Sequence, residues 1–356
     1  MFQKQISATI SFKVFHGEQS VSVLNKDAIL DFVDSCIVCE TTTETPLKIG
    51  SASNVILTAL SIDYCKCHYD IDVSCLNLEY SYKEHDKVII LVFSFEKNIL
   101  SIPRLKSDNH NYRLVFLGAR NKLNLSINYN GQVLRFYTQD EFLNISSEEP
   151  MPEKISQFTS MAYSLFQNSE IKLLEEHSPN VFKLYIQFPA PPGRVLCYGS
   201  KIFEKIWNWV VENDESEKKK NAIDFFISGA KLTGESFDFR LMKLFVAIDA
   251  ICKEKGKALY RCITKEFSLD EADGVLIANV RNAMIHDGVD ANSAIESVLN
   301  KKLIKFDYIK SDDKDKKVKF YCGVIDLIVE YFMTKSGVDY ENEVHKMLSK
   351  YFPNNN

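Results

Sequence analysis

Near its 280th position the chain reads Val280-Arg281-Asn282-Ala283-Met284-Ile285-His286, and here residue types and spacing point to a reaction. A guanidinium stays protonated and can hold two phosphate oxygens at once. An imidazole can take or give a proton at neutral pH. On a helix, Asn282 and His286 are four apart on one face, with Arg281 on the flank beside Asn282. Ile277, Val280 and Met284 then face the other way, into a core. His286 falls at the helix end, where the backbone opens and a substrate can approach. Cleavage of an RNA phosphodiester by its own 2′-OH, without metal, needs a base, an acid and a cation for the charge building on phosphorus. Arg281 and His286 supply those types, and Asn282 can orient the imidazole or bond the phosphate. A plainer alternative stays open: Arg281 makes a surface salt bridge to Asp249 or Asp287, and His286 only ends a helix. Arg104 and His110 share the loose spacing, but they follow Pro103 in a polar loop and are set aside.

The elements that must position these residues are helices. The spacing predicts helices over 201–213, about 218–232, 237–253, 269–285, 291–299, about 319–334 and 340–351. Ser268-x-x-Glu271 reads as a capping box for the helix that carries Arg281, and Gly288 as its stop. Before residue 150 the pattern has period two instead. Ile10, Phe12 and Val14 point one way and Ser11 and Lys13 the other, and the alternation resumes at Val21 and Val23. A phase change over 71–82 reads as a β-bulge. Asn130-Gly131 supplies both positive-φ positions of a two-residue turn, which pairs Ile127 with Leu134 and Leu125 with Phe136. One helix is predicted at about 153–176 and a strand over 181–188, before the punctuation Pro189-Ala-Pro-Pro-Gly-Arg194. The expected fold is α+β: an antiparallel β-rich domain over 1–198, then an all-α domain over 199–356.

Here the residues resemble a known family. The VRNAMIHDG segment, preceded by the FRLMKLFVAIDAI helix, is similar to the HEPN superfamily, in particular to the ApeA-like HEPN domains of bacterial anti-phage defence. The likeness is specific over about 236–290, vaguer over 199–352, and does not extend to the β-rich front beyond the habit of placing such a domain first. The family motif, Arg, a polar residue, a few residues and then His, is matched by Arg281, Asn282 and His286. Members often carry Glu in the preceding helix, and Asp249 stands at that place with a shorter side chain. The resemblance implies a metal-independent endoribonuclease, without cofactor, acting as a homodimer whose two motifs share one cleft. An unregulated intracellular ribonuclease is toxic to its own cell, so the front domain, with no catalytic constellation of its own, is expected to gate activity in response to a phage-derived or cellular trigger. Some members have lost cutting, so a HEPN module that only binds RNA or protein is the alternative.

Other stretches are less specific. Lys253, Lys255, Lys257 and Arg261, interleaved with Tyr260, can track an RNA backbone or simply form a solvated helix end. The Lys218–Lys220 triplet reads as a solvated face. Cys36, Cys39, Cys65 and Cys67 are spaced acceptably for zinc, but no turn-forming residue follows either pair, and no metal is assigned to them. Trp207 and Trp209, two apart on a helix, do not share a face: one is expected in the core and the other at the domain interface or rim, with core packing the default for both. Nine cysteines, an odd number in a chain of 356 residues, fit free thiols in a reducing compartment. With 46% apolar and 26% charged residues and no long apolar run, a soluble cytoplasmic protein without membrane association is expected. The net charge of −5 leaves RNA contact to a local basic patch.

Overall fold

The computed structural model describes residues 5–31, 36–42, 53–64, 67–71, 73, 79–85, 88–94, 99–103, 112–179, 181–185, 199–231, 235–252, 258–297, 299, 303, 305–309 and 314–344. An antiparallel β-rich region precedes a helical one, the α+β arrangement that the periodicities predict. The first sheet orders its strands β5 (Cys67–Ile71), β4 (Ser53–Tyr64), β1 (Gln5–His16), β2 (Gln19–Asp31), β3 (Cys36–Thr42), β7 (Val88–Ser94) and β6 (Glu79–His85). The second orders β10 (Asn124–Tyr129), β11 (Gln132–Gln139), β12 (Phe142–Ser147), β9 (Tyr112–Leu117), β13 (Lys172–His177), β14 (Val181–Tyr185) and β8 (Ile99–Pro103).

By compactness the chain forms two units that interleave along the sequence, whereas a single boundary at 198 is the sequence expectation. One unit holds 1–115, 145–150 and 173–188; the other holds 116–144, 151–172 and 189–356. In the first, Ile10, Phe12 and Val14 of β1 are buried as expected, and the rings of Phe12 and Phe93 lie 6.5 Å apart. Ser11 is buried too, against expectation. A bulge beside it breaks the pairing of β1 with both neighbours, and Ser11 Oγ accepts the Asn25 backbone N–H at 3.0 Å. Asn25 tolerates its positive φ of 51° as few side chains can. Tyr69 on β5 donates to Glu175 on β13 at 2.6 Å, and His177 closes on the other oxygen at 2.7 Å. The bulge expected over 71–82 falls largely outside the described residues; β5 ends at Ile71 and β6 starts at Glu79. Arg104 and His110 lie outside the described residues.

The second unit begins with the β10–β11 hairpin, in the register the turn dictates: Ile127 opposite Leu134 and Leu125 opposite Phe136. Asn130 and Gly131 take φ of 51° and 89°. Its apolar face meets α1 (Lys154–Gln167) and α2 (Ser200–Glu212), where Phe136 stands edge-on to Trp207 at 5.0 Å. The helix expected over 153–176 is shorter. Asn168 turns left-handed at φ 56° and its N–H donates to the Ser164 carbonyl, so Leu173 lies in β13. Five helices follow: α3 (Glu217–Ala230), α4 (Phe237–Cys252), α5 (Leu259–Glu266), α6 (Glu271–His286) and α7 (Ala291–Glu296). The 20-residue α8 (Lys316–Lys335) runs through the core, burying Phe320, Val324, Leu327, Ile328 and Phe332. Both tryptophans are buried, Trp207 against α1 and Trp209 against Phe332 of α8 at 5.7 Å, the core packing expected as the default for both. α5 is absent from the sequence expectation. Among the described residues no helix is long and apolar enough to cross a membrane.

Candidate functional site

The site is built on α4 and α6. The inward face of α6 carries Leu276, Ile277, Val280 and Met284, all buried, so the other face must look outward. Arg281 sits at the edge between them, and Asn282 and His286 are exposed. The expected capping box does not form. Ser268 is in the left-handed region at φ 51°, and Asp270 precedes the first turn without a side-chain cap bond. The start of α6 is fixed differently: the fully buried Asp273 accepts the backbone N–H groups of Lys305 at 2.8 Å and Phe306 at 3.3 Å. At its other end Gly288, φ 66°, stops the helix as expected, and Val289 N–H returns to the Ala283 carbonyl at 3.1 Å. Gly274 lets α5 come close: a Cβ there would lie 2.2 Å from Thr264 Oγ1 and 3.1 Å from the Tyr260 carbonyl.

Four polar side chains converge at the exposed edge. Asp249 Oδ2, on α4, accepts Arg281 Nε at 3.2 Å and Nη2 at 2.5 Å. Arg281 Nη1 donates to Asn282 Oδ1 at 3.0 Å and lies 2.8 Å from His286 Nε2. A guanidinium only donates, so His286 Nε2 is the acceptor in this contact. The Arg281 and Asp249 side chains are 18% and 29% exposed, intermediate between a buried pair and a surface one. Four of the five guanidinium N–H groups are thus engaged within the chain, leaving one on Nη2. The result is a cation held in place by an acid, with a proton carrier on it, open to solvent on one side.

Arg281, Asn282 and Asp249 also line a cavity of about 760 Å³. Val246, Ala250 and Cys252 of α4 and Leu259 of α5 form part of its wall, and Lys218, Asn221 and Phe225 of α3 form another. Nothing in the sequence pattern singles out these α3 residues as part of a site. Their spacing of three and four puts them on one helix face, but the lysine triplet there reads as plain solvation. Within that triplet Lys220 pairs with Asp214 at 2.9 Å and Lys219 lies over the Trp209 ring at 5.4 Å. Beneath the site Cys262 Sγ lies 2.7 Å from the Cys252 carbonyl, and burial pushes the Cys252 thiol well above its ordinary range. That keeps it protonated and unreactive.

Of the basic residues expected to track RNA, Lys253, Lys255 and Lys257 lie outside the described residues. Arg261 is exposed on α5, where its Nε donates to the Tyr260 hydroxyl at 3.0 Å; it does not line the cavity. Cys36 and Cys39, three apart on β3, point to opposite faces of the strand, so the two sulfurs do not converge on one ion. Burial pushes the Cys39 thiol up to about 11. Cys65 and the Cys67 side chain lie outside the described residues. Among the described residues no group of three or more His, Cys, Asp or Glu side chains is placed to hold a metal. Comparison of the chain with protein-family models, with curated proteins and with solved structures finds no significant match.

Proposed function

We propose that the protein is a metal-independent endoribonuclease of the HEPN type. The reading is carried by one observation: Asp249, Arg281, Asn282 and His286, drawn from two helices, form one hydrogen-bonded cluster, and the first three of them line a solvent-open cavity. In the reaction, a phosphodiester oxygen takes Nη1 of Arg281 in place of Asn282 Oδ1 and His286 Nε2, because a negative charge binds a guanidinium more tightly. That exchange releases His286 Nε2, which then accepts the proton of the ribose 2′-OH. The 2′-oxygen attacks phosphorus, the P–O5′ bond breaks, and the leaving oxygen needs a proton. One copy of the motif holds one imidazole. A second copy across a two-fold axis supplies the acid, which gives a physical reason for a homodimer. The products are a 2′,3′-cyclic phosphate and a 5′-hydroxyl end. Asp249 has a positioning role: it holds the guanidinium edge-on and touches no substrate atom. The β-rich unit gates the activity in this proposal, answering a phage-derived or cellular trigger in the cytoplasm.

The same hydrogen bonds favour a second reading. With four guanidinium N–H groups already engaged, Arg281 fits a structural latch in a HEPN module that binds RNA or protein without cutting. Incubation of the purified protein with structured RNA in EDTA separates the two. A ribonuclease gives new ends that persist under chelation and vanish in Arg281→Ala and His286→Ala. Retained RNA without new ends supports the binding module, and cutting that EDTA stops sinks the metal-independent mechanism.

A further inference from the structure

The cavity beside Arg281 is larger than phosphate chemistry requires, and its far wall has a particular composition. Lys218, Asn221 and Phe225 all project from one face of α3, and all are exposed. Phe225 is 40% exposed although it stands in a cavity wall, so a large apolar ring has been left without a covering side chain. Val246, Ala250 and Leu259 add further apolar surface. Among the described residues the charged groups of the lining are Lys218, Arg281 and Asp249, and Asp249 pairs with Arg281. A volume of about 760 Å³ lies within the range of sites that enclose small organic ligands. A flat apolar face, an amide with donor and acceptor side by side, and a lysine on the wall facing a guanidinium answer the three needs of one nucleotide: stacking, edge recognition and backbone neutralisation.

Resting on the proposed ribonuclease reading, we propose that this cavity is the nucleobase subsite. An unpaired base adjoining the phosphate at Arg281 stacks on Phe225. Asn221 hydrogen-bonds the edge of that base, and Lys218 meets a neighbouring phosphate. The base must leave any duplex to enter, so the site selects single-stranded segments, and Phe225 and Asn221 set where the strand is cut.

The test uses the full chain and short single-stranded RNAs carrying 2-aminopurine at successive positions, with His286→Ala to prevent cutting during binding. Stacking quenches 2-aminopurine fluorescence, and one position is expected to be quenched more than its neighbours. Phe225→Ala is expected to abolish that quench and weaken binding about tenfold, and Phe225→Tyr to restore both. Asn221→Ala is expected to leave affinity within about twofold but to flatten the preference among the four nucleotides at the cleavage position. Lys218→Ala is expected to lower the slope of log K against log salt by about 0.7. A Phe225→Ala protein that binds, quenches and cuts as the parent does, while Arg281→Ala abolishes cutting, overturns the subsite and leaves the ribonuclease standing. If nothing is cut but the quench still depends on Phe225, the subsite holds and the catalytic reading fails. Absence of any RNA binding by the parent protein overturns both.

Discussion

Removing the carboxylate of Asp249 tests how Arg281 is held. A single oxygen, Oδ2, takes both Nε and Nη2, and these two bonds define one whole edge of the guanidinium. Hydrogen bonds to charged partners contribute about 1.5–3 kcal/mol each when sheltered, whereas exposed ion pairs contribute roughly 0–1 kcal/mol. Side-chain exposures of 18% and 29% put this pair between those limits. Asp249→Ala should therefore cost about 2 kcal/mol in folding stability, a fall of about 1 M in urea midpoint for a typical denaturant slope. If that energy also keeps the guanidinium in its working position, kcat/KM should fall about 30-fold. Asp249→Glu keeps the charge on a longer arm and should recover most of the loss. The measurements are urea unfolding followed by tryptophan fluorescence and cleavage of 5′-labelled RNA under single-turnover conditions. An Asp249→Ala protein that unfolds at the parent midpoint and cuts at the parent rate would refute the positioning argument. Loss of stability with cutting unchanged would make the pair structural only.

Other outcomes follow from groups elsewhere in the same unit. Burial alone would raise the Glu170 carboxyl, but bonds from Lys172 and Lys231 outweigh it and hold it below its ordinary value. A carboxylate lowered on folding adds stability above its unfolded value of 4.5, lost as pH falls through the folded value. Glu170→Gln should therefore destabilise the protein at pH 7 and flatten its stability profile below about pH 4.5, read by urea midpoints across pH. Gly274→Ala should cost about 1–3 kcal/mol, because the new methyl meets Thr264 and the Tyr260 backbone; adding Thr264→Ala should return part of it in the same assay. Asp273→Ala should cost about 2–4 kcal/mol, since two backbone N–H groups lose their shared acceptor, and a midpoint within experimental error of the parent would contradict that role.

Several features are legible in the sequence because they depend on residues close together along the chain. Asn130-Gly131 fixes its hairpin register through two backbone angles, and the pairing of Ile127 with Leu134 follows from counting residues outward. The faces of α6 follow in the same way from a period of 3.6 residues. Other features depend on competition between local signals. Asn168 ends α1 where the apolar spacing runs on, because a left-handed asparagine offers the chain a way out of the helix. Ser268 loses its capping role because it is itself left-handed, and the buried Asp273 holds the start of α6 instead.

By itself the amino-acid order determined an α+β chain and put a guanidinium and an imidazole together at one helix tip, since helical periodicity and turn chemistry act over a few residues. Only the tertiary structure decided that Asp249, 32 residues away, closes on Arg281, that α3 walls the adjoining cavity, and that the hairpin groups with the helices. Such contacts come from the packing of complete faces against one another, and that packing has no period to read along the chain.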